Sequence, residues 1–509
     1  MGKNLLITIL MIAAGLEVKA QVVDSTATAK HMALVEHLSL VNEATARMNC
    51  NPALMETAFA SSLTQFGITA NWQQQSEPFI LQKGTGHFLA QVEADSYIRL
   101  GNNTAVWGKA SYMTGRKRNI MWNSVADYDL LQPDILGDTV GGNTRRERYT
   151  FEGGYSTHRG RWHMGGEMLF RAEQEYRKVD PRMRSIVSDL TLRAGAALDI
   201  ASYMLGLSVQ GNIYRQTNSV DFYKPLGSVP EYQLMGLGEV YTRFSGDVND
   251  LIFKGKGVKL QADLKPSRGT GGAIASAWVA QHSYERVARM LNSLPLTTLY
   301  NKEAGVRLGW KHNGSMVIAA WGDLQYNRRT SDQHIAGTSS SQIYPVIARM
   351  TMYKNKVFNA SLTALVGRQG TTSWNVMATG GFNSNHQSFV YPHRHMNCDN
   401  AFGKLGGQVI SQMSRKWTLT AQIDLGYYGN TGHSMVMPLA DMEQHFIDMI
   451  DHNYSYLTAC YTTADARFRV DYHFPNTRYS LYGEARGGMI VCSNREHQES
   501  FSFTIGINL

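Results

Sequence analysis

The sequence predicts an all-β fold: one transmembrane antiparallel β-barrel of about 18 strands, with a short N-terminal helical segment and long extracellular loops. Three observations lead there. Period-two alternation of apolar and polar residues runs almost unbroken from residue 62. Short turns alternate along the chain with long connections, the layout of barrels that cross an outer membrane. Charge is confined to one parity of the strands, so each strand has one oily and one wet face.

The final strand states the pattern most plainly. Phe501, Phe503, Ile505, Ile507 and Leu509 alternate with Ser500, Ser502, Thr504, Gly506 and Asn508. This stretch resembles the C-terminal signal of outer-membrane β-barrels, which implies recognition of Phe501–Leu509 by barrel-assembly machinery. Leu509 stands where such signals usually carry an aromatic residue.

At the other end, Lys3, the apolar run Leu5–Gly15 and the small residues Val18 and Ala20 compose a signal peptide over residues 1–20. The expected location is the bacterial outer membrane. No later apolar run reaches the ~18–20 residues of a spanning helix. Only 18% of residues are charged and there are four cysteines, so the fold does not rest on a disulfide framework.

Residues 21–61 form a periplasmic or lumenal segment. A helix is expected over Met32–Met48, with Leu34, Leu38, Val41, Thr45 and Met48 on one face and Asn51-Pro52-Ala53 ending it. The segment is too short for the separately folded plug of a large receptor barrel. Asn51-Pro52-Ala53 resembles the N-terminal hatch of the long-chain fatty-acid channel family, which implies a lateral-opening route for hydrophobic ligands. A helix capping the barrel floor accounts for the same residues.

The barrel occupies residues 62–509. Phe88, Ala90, Val92 and Ala94 share a face, and the Gly101-Asn102-Asn103 turn leads into 105–114. The unit recurs around 190–213, 304–314, 417–427 and 464–474. Long connections are expected at 115–146, 175–186, 215–254, 286–300, 329–341, 369–399 and 429–456. Gly236–Phe244 and Ser373–Gly381 also alternate and are expected as hairpins above the membrane. Trp72, Tyr112, Trp122, Trp374, Trp417, Tyr427, Tyr472 and Tyr479 fall at strand ends, as interface girdles do.

The wet parity carries Glu93, Asp95, Arg99, Lys109, Glu152, Glu167, Arg171, Arg193, Arg307, Lys311, Asp323, Asp424, Arg467, Arg469, Asp471, Glu484 and Arg486. An Arg or Lys facing lipid at the midplane costs ~2–4 kcal/mol, so this parity faces the lumen. Whether the charges pair and fill the bore or line a wet channel is left open.

Tyr128-Asp129-Leu130-Leu131, Asp138-Thr139-Val140-Gly141-Gly142 and Arg148-Tyr149 with Phe151, Gly153, Gly154 and Tyr155 resemble the signature of an uncharacterised Bacteroidota-type outer-membrane β-barrel family. Leu291-Asn292 and Leu294-Pro295 extend the match. The resemblance implies barrel and location; it brings no activity and no functional residues.

Four local features suggest sites. Arg116-Lys117-Arg118, Arg145-Arg146, Arg177-Lys178 and Arg328-Arg329 stand where strands leave the membrane and suit lipopolysaccharide phosphates. His393, His395, Cys398 and Asp399 are residue types for zinc or copper, in a spacing of no standard site. Met442–Asn453 reads as a helix that lids the mouth, with Met442, Phe446, Met449 and Ile450 on one face. Cys460 and Cys492 lie on successive strands, but parity keeps them from facing each other.

No G-x-S-x-G or H-E-x-x-H motif is present. The expectation is therefore no enzyme, no cofactor and no nucleic-acid partner. The preferred function is a pore or transport component for small solutes. A plugged barrel serving as partner or scaffold for another outer-membrane protein, and a channel for hydrophobic ligands, are the alternatives.

Overall fold

The computed structural model describes residues 25–509 apart from 224–229, 245–249, 268, 341–342, 439–441 and 476. The signal peptide thus lies outside the described residues, as does Asn476.

Eighteen antiparallel strands close into one barrel. They are β1 Leu63–Gln75, β2 Gly86–Arg99, β3 Thr104–Ile120, β4 Gly142–Arg159, β5 Trp162–Arg177 and β6 Arg182–Ile200. Next come β7 Tyr203–Asp221, β8 Asp250–Pro266, β9 Gly272–Ala288, β10 Leu294–Asn313, β11 Val317–Ala336 and β12 Val346–Arg368. The last six are β13 Thr372–Phe389, β14 Arg394–Ser414, β15 Trp417–Val436, β16 Tyr461–His473, β17 Ser480–Cys492 and β18 His497–Asn508. Each pairs with its sequence neighbour. The barrel closes where β18 pairs with β1, Ile505 opposite Ile68 and Phe501 opposite Trp72.

Alternation sorts the side chains as the sequence indicates. Ile68, Met168, Leu192, Leu207, Leu260, Leu308, Leu362, Leu405 and Ile505 point out, each at least two-fifths exposed. An apolar belt this continuous has no place in water, and the wall is that of a membrane-spanning barrel. No helix among the described residues is long and apolar enough to cross a membrane.

At one end the connections are short turns, such as 160–161, 201–202 and 415–416; at the other they include 121–141, 222–249 and 437–460. The start of the described residues and the C-terminal Leu509 both lie at the short-turn end. Several expected connections shrink, because the strands continue past the point where clean alternation stops. Residues 178–181 and 289–293 are all that remain of 175–186 and 286–300. The stretch 369–399 is not a loop: 369–371 is a short turn, 390–393 a tight one, and Thr372–Phe389 between them is wall. Ser373–Gly381 therefore spans rather than forming a separate hairpin. The segment 236–244 does lie off the wall. Tyr232–Gly236 pairs with Glu239–Val240 and with Leu136–Gly137 in a small sheet above the barrel mouth.

The N-terminal helix starts earlier and stops sooner than expected. Helix α1 runs Ser25–Leu38. Ser39 then leaves the helical region at φ −70, ψ 137, and its Oγ accepts from the Val41 amide. The chain continues through 3-10 turns at Leu40–Ala44, Met48–Cys50 and Pro52–Thr57. The breaks let it curve inside the wall, where one straight helix would not fit. Two further helices, α2 Tyr128–Leu131 and α3 Gln444–Leu457, belong to the long-loop end.

Candidate functional site: a bore closed at both ends

The N-terminal segment is a lumenal floor. Going round the ring, Tyr97 Oη on β2 donates to Met55 O at 2.9 Å, and Ser156 on β4 donates to Ala53 O at 3.3 Å. Gln261 on β8 donates to Arg47 O, and Arg307 on β10 to Glu43 O. Gln408 on β14 donates to Leu38 O, and His31 bonds Thr418 on β15 at 3.2 Å. Lys30 reaches Phe474 O at the end of β16. Val41, Ala44, Met48, Ala53 and Leu54 are buried against Met204, Ile274, Val317, Trp321 and Leu365. The segment thus sweeps the circumference from β2 to β16.

Asn51-Pro52-Ala53 is the tightest part of this floor. Asn51 is fully buried; its Oδ1 accepts from the Ala53 amide at 3.1 Å and its Nδ2 donates to Asp263 on β8 at 3.4 Å. Glycines make room for the turn. A Cβ on Gly195 would lie 2.0 Å from Asn51 Oδ1, and one on Gly165 would lie 2.4 Å from Pro52 backbone. The wall at 165, 195 and 206 is a cradle shaped for this turn.

The opposite end is roofed. Connection 121–141, the described part of 222–249 and helix α3 fold inward into one apolar core with Trp122, Leu131, Ile135, Leu234, Phe446, Met449 and Ile450. The expected α3 lid is present, and its Asn453 accepts from the Leu81 amide at 3.0 Å. Trp122, expected in the outer girdle, is instead 4% exposed inside this core.

Ion pairs lock the roof to the wall. Arg171 on β5 forks onto Asp127 at 2.8 and 2.6 Å, and Tyr214 donates to the same carboxylate. Arg177 meets Asp138 at 2.9 Å, both almost fully buried. Arg286, also fully buried, donates to Leu234 O at 3.0 Å. Burial and the nearby Asp138 carboxylate push Glu231 up to about 8, against the pull of Arg177 and a hydrogen bond from Ser124. Burial likewise raises Asp134.

The family-like motifs belong to this roof and the wall beneath it. Tyr128–Leu131 is α2. Asp138 Oδ1 accepts from the Val140 and Gly141 amides at 2.9 and 2.6 Å, and Gly141 sits at φ +62. Arg148 bonds Glu173 at 2.7 Å. Gly154 leaves space for the Trp107 ring, which a Cβ there would meet at 2.1 Å. Asn292 takes φ +53 in the turn before buried Leu294.

Between floor and roof the inward charges divide by sector. On β2 to β6 they pair: Lys109 with Glu93 at 2.8 Å, Arg193 with Glu167 at 2.5 Å, and Arg171 with Asp189 and Glu173. Lys109 also faces Glu152 in register. Arg307 forks onto Asp323 at 2.7 and 2.9 Å, and Arg469 onto Asp471. Arg99 turns down onto the floor at Glu56, and Lys311 on β10 faces inward. On β14 to β18 the lumen holds a recess of about 380 Å3 lined by Asp424, Asp465, Arg467, Arg486 and Ser502. Glu484 accepts from Arg467 and Arg486 at its edge. Asp465 and Arg486 are exposed there. Of the two options left open by sequence, pairing is seen in the first sector, and the second keeps an accessible charged recess.

Two expected clusters are redistributed. His395 and Asp399 face outward on β14, whereas Cys398 faces inward with its sulfur 2.9 Å from Leu457 O. His393 lies in the tight turn, and Asp399 pairs with His386 at 3.2 Å. Adjacent strand residues point to opposite faces, so these four do not converge on one ion. Cys460 and Cys492 are both free, and the register sets Tyr461 opposite Cys492, as parity requires.

Of the basic doublets, Arg116, Arg118, Arg145 and Arg328 are outward and exposed, and Lys178 is exposed in the 178–181 connection. Their neighbours turn in. Lys117 binds Glu175 at 2.7 Å, Arg146 binds Glu173, Arg177 binds Asp138, and Arg329 donates to Gln132 O. A larger outward row was missed: Lys302, Arg328, Lys356 and His386 stand directly opposite one another on β10 to β13. Each of these residues is exposed. The missed signal was register, which one sequence does not reveal. Just below the row, Ala304, Val306, Leu324, Tyr326 and Phe358 line an outer apolar groove.

These features define a membrane β-barrel with a floor and a roof of its own chain. The chain belongs to the family of unknown function DUF6850, whose model matches residues 52–509. No curated protein matches it. Among solved structures, BauA, the ferric preacinetobactin receptor from Acinetobacter baumannii, is 9% identical at a TM-score of 0.40, covering 88% of this chain and 80% of that one. The siderophore receptor PiuA from Acinetobacter baumannii is 7% identical at 0.40, covering 87% and 82%. The copper transporter OprC is 8% identical at 0.41, covering 88% and 81%. Likeness at this level carries no functional conclusion.

Proposed function

We propose that this protein is a non-enzymatic outer-membrane transport barrel for small solutes, closed at rest and opened by movement of its floor and roof. The observation that carries the reading is the floor. A segment that sweeps the ring from β2 to β16, seated on glycines kept free for it, closes a bore that still holds a charged, water-accessible recess. A filled structural barrel has no need of that recess.

The reading replaces the static pore with a gated one. Reconstituted in a planar bilayer, the intact protein is expected to be silent. A variant lacking residues 21–61 and carrying Asp127→Ala with Arg171→Ala is expected to conduct. Steady conductance in the intact protein would restore the simple pore. Silence in the doubly unlocked variant, with folding confirmed, would favour the alternative of a plugged partner or scaffold.

The long-loop end is assigned to the outer leaflet, with lipopolysaccharide as the lipid partner. Like charges directly opposite on adjacent strands repel, and Lys302, Arg328 and Lys356 have no acidic partner among the described residues. Lipid phosphates supply the missing counter-charge, and the apolar groove beneath accepts acyl chains. Replacing the three residues by Gln is expected to cut co-purified lipopolysaccharide several-fold; an unchanged amount would refute the assignment. The β18 residues Phe501–Leu509 are proposed to engage the assembly machinery.

A further inference from the structure

One cluster outside the roof and recess joins floor to wall. His158 on β4 and His163 on β5 stand directly opposite each other beside the 160–161 turn, both on the inward face. Glu56, from the last 3-10 turn of the floor, projects between them. Its Oε2 lies 3.2 Å from His158 Nδ1 and 3.2 Å from His163 Nδ1. The three donor atoms all lie within 4.8 Å of one another. Glu56 and His163 side chains are each 4% exposed.

The surroundings match what a metal ligand set requires. His163 presents Nδ1 to the cluster while its Nε2 lies 3.0 Å from Asp199 Oδ2. A carboxylate behind a histidine fixes its tautomer and ring orientation, the usual second partner of a metal-binding imidazole. His158 Nδ1 is buried and makes no hydrogen bond. Arg99 occupies the other carboxylate oxygen at 3.5 Å, which leaves Oε2 as the single donor from Glu56. Two imidazole nitrogens and one carboxylate oxygen are a zinc donor set with a fourth position for water. Hard cations prefer all-oxygen sites.

We propose that Glu56, His158 and His163 form a zinc site that staples the N-terminal floor to the β4–β5 hairpin. The metal bridges two parts of the chain separated by about a hundred residues of sequence, so its loss frees the floor locally without touching the rest of the ring. Asp199 acts as a positioning residue through His163.

The test uses the full mature protein, stripped with chelator and dialysed against zinc chloride, with bound zinc counted by mass spectrometry. One zinc per chain is expected, lost in Glu56→Gln and in the His158→Ala, His163→Ala pair. Asp199→Asn is expected to weaken binding about 10- to 100-fold. Zinc is also expected to slow protease cleavage within residues 25–61 of the unmodified protein and not of Glu56→Gln. Glu56→Gln leaves both wall strands intact, so it decides the matter if the histidine pair misfolds. Equal zinc binding by the unmodified protein and Glu56→Gln would overturn the site. Zinc binding without protection of the floor would overturn the staple.

Discussion

The floor and the roof close the same bore by different physics. The floor is one continuous segment that runs into β1, held chiefly by small-residue fit and hydrogen bonds, with an ion pair at Arg99–Glu56: Asn51 on its glycine cradle, His31 on Thr418, Ser39 beside Asn375. The roof is made of connections tied to the wall at both ends and locked by buried charge pairs, Arg177–Asp138 and Arg171–Asp127. A segment held mostly by fit and hydrogen bonds is able to leave as a unit. A roof with buried ions resists partial opening, because breaking one pair strands a charge away from water. The difference makes the floor the easier of the two to move and the roof the more stable.

The largest effect is expected at the roof. Arg177→Ala leaves the buried Asp138 without its partner, a loss of roughly 3–5 kcal/mol, read as a lowered urea midpoint. If Arg177→Ala costs no more than an exposed-pair change such as Arg289→Ala, the buried latch is not a source of stability. The floor is next. Gly195→Val places a side chain where Asn51 Oδ1 lies 2.0 Å from the Cβ position. It is expected to expel the Asn51–Ala53 turn while the barrel persists, seen as fast proteolysis within 25–61 and unchanged strand content by circular dichroism. Global unfolding instead would make the floor part of the folding core.

A smaller effect sharpens the contrast by pH. Glu231 is raised to about 8 in the folded roof from an ordinary 4.5. The folded state therefore holds a proton that the unfolded state has lost between those values. Its contribution to stability is full below pH 4.5 and falls as pH rises toward 8. Glu231→Gln is expected to flatten that slope in urea titrations at pH 5 and pH 8. An identical slope in the variant would place the pH dependence elsewhere.

The barrel was legible because alternation is a one-dimensional signal: Phe501 to Ile507 declare their faces without a partner. The strand ends were less so, since the strands outrun their apolar belt; 372–389 alternates only as far as Gly381, and the polar run Asn383–Ser388 hides its second half, so it reads as a hairpin above the membrane. The α3 face at Phe446, Met449 and Ile450 was readable from helical spacing, and Asn51-Pro52-Ala53 stood out by composition. What stayed hidden depends on register and on contacts distant in sequence. His158 meets His163 only across a hairpin, and Glu56 joins them from a hundred residues away. The row Lys302, Arg328, Lys356 and His386 spans four strands. Residue types at His393–Asp399 suggested a metal site, yet alternation sends Cys398 to the other face.

The central claim is that residues 25–57 seal the bore at the short-turn end. The most direct measurement is the rate at which a small charged thiol reagent modifies Asp465→Cys, a recess position, with Cys50, Cys398, Cys460 and Cys492 replaced by Ser. Slow modification of the otherwise intact barrel, rising at least tenfold when residues 21–61 are removed, is the expected result. Equal rates with and without the segment would contradict the claim.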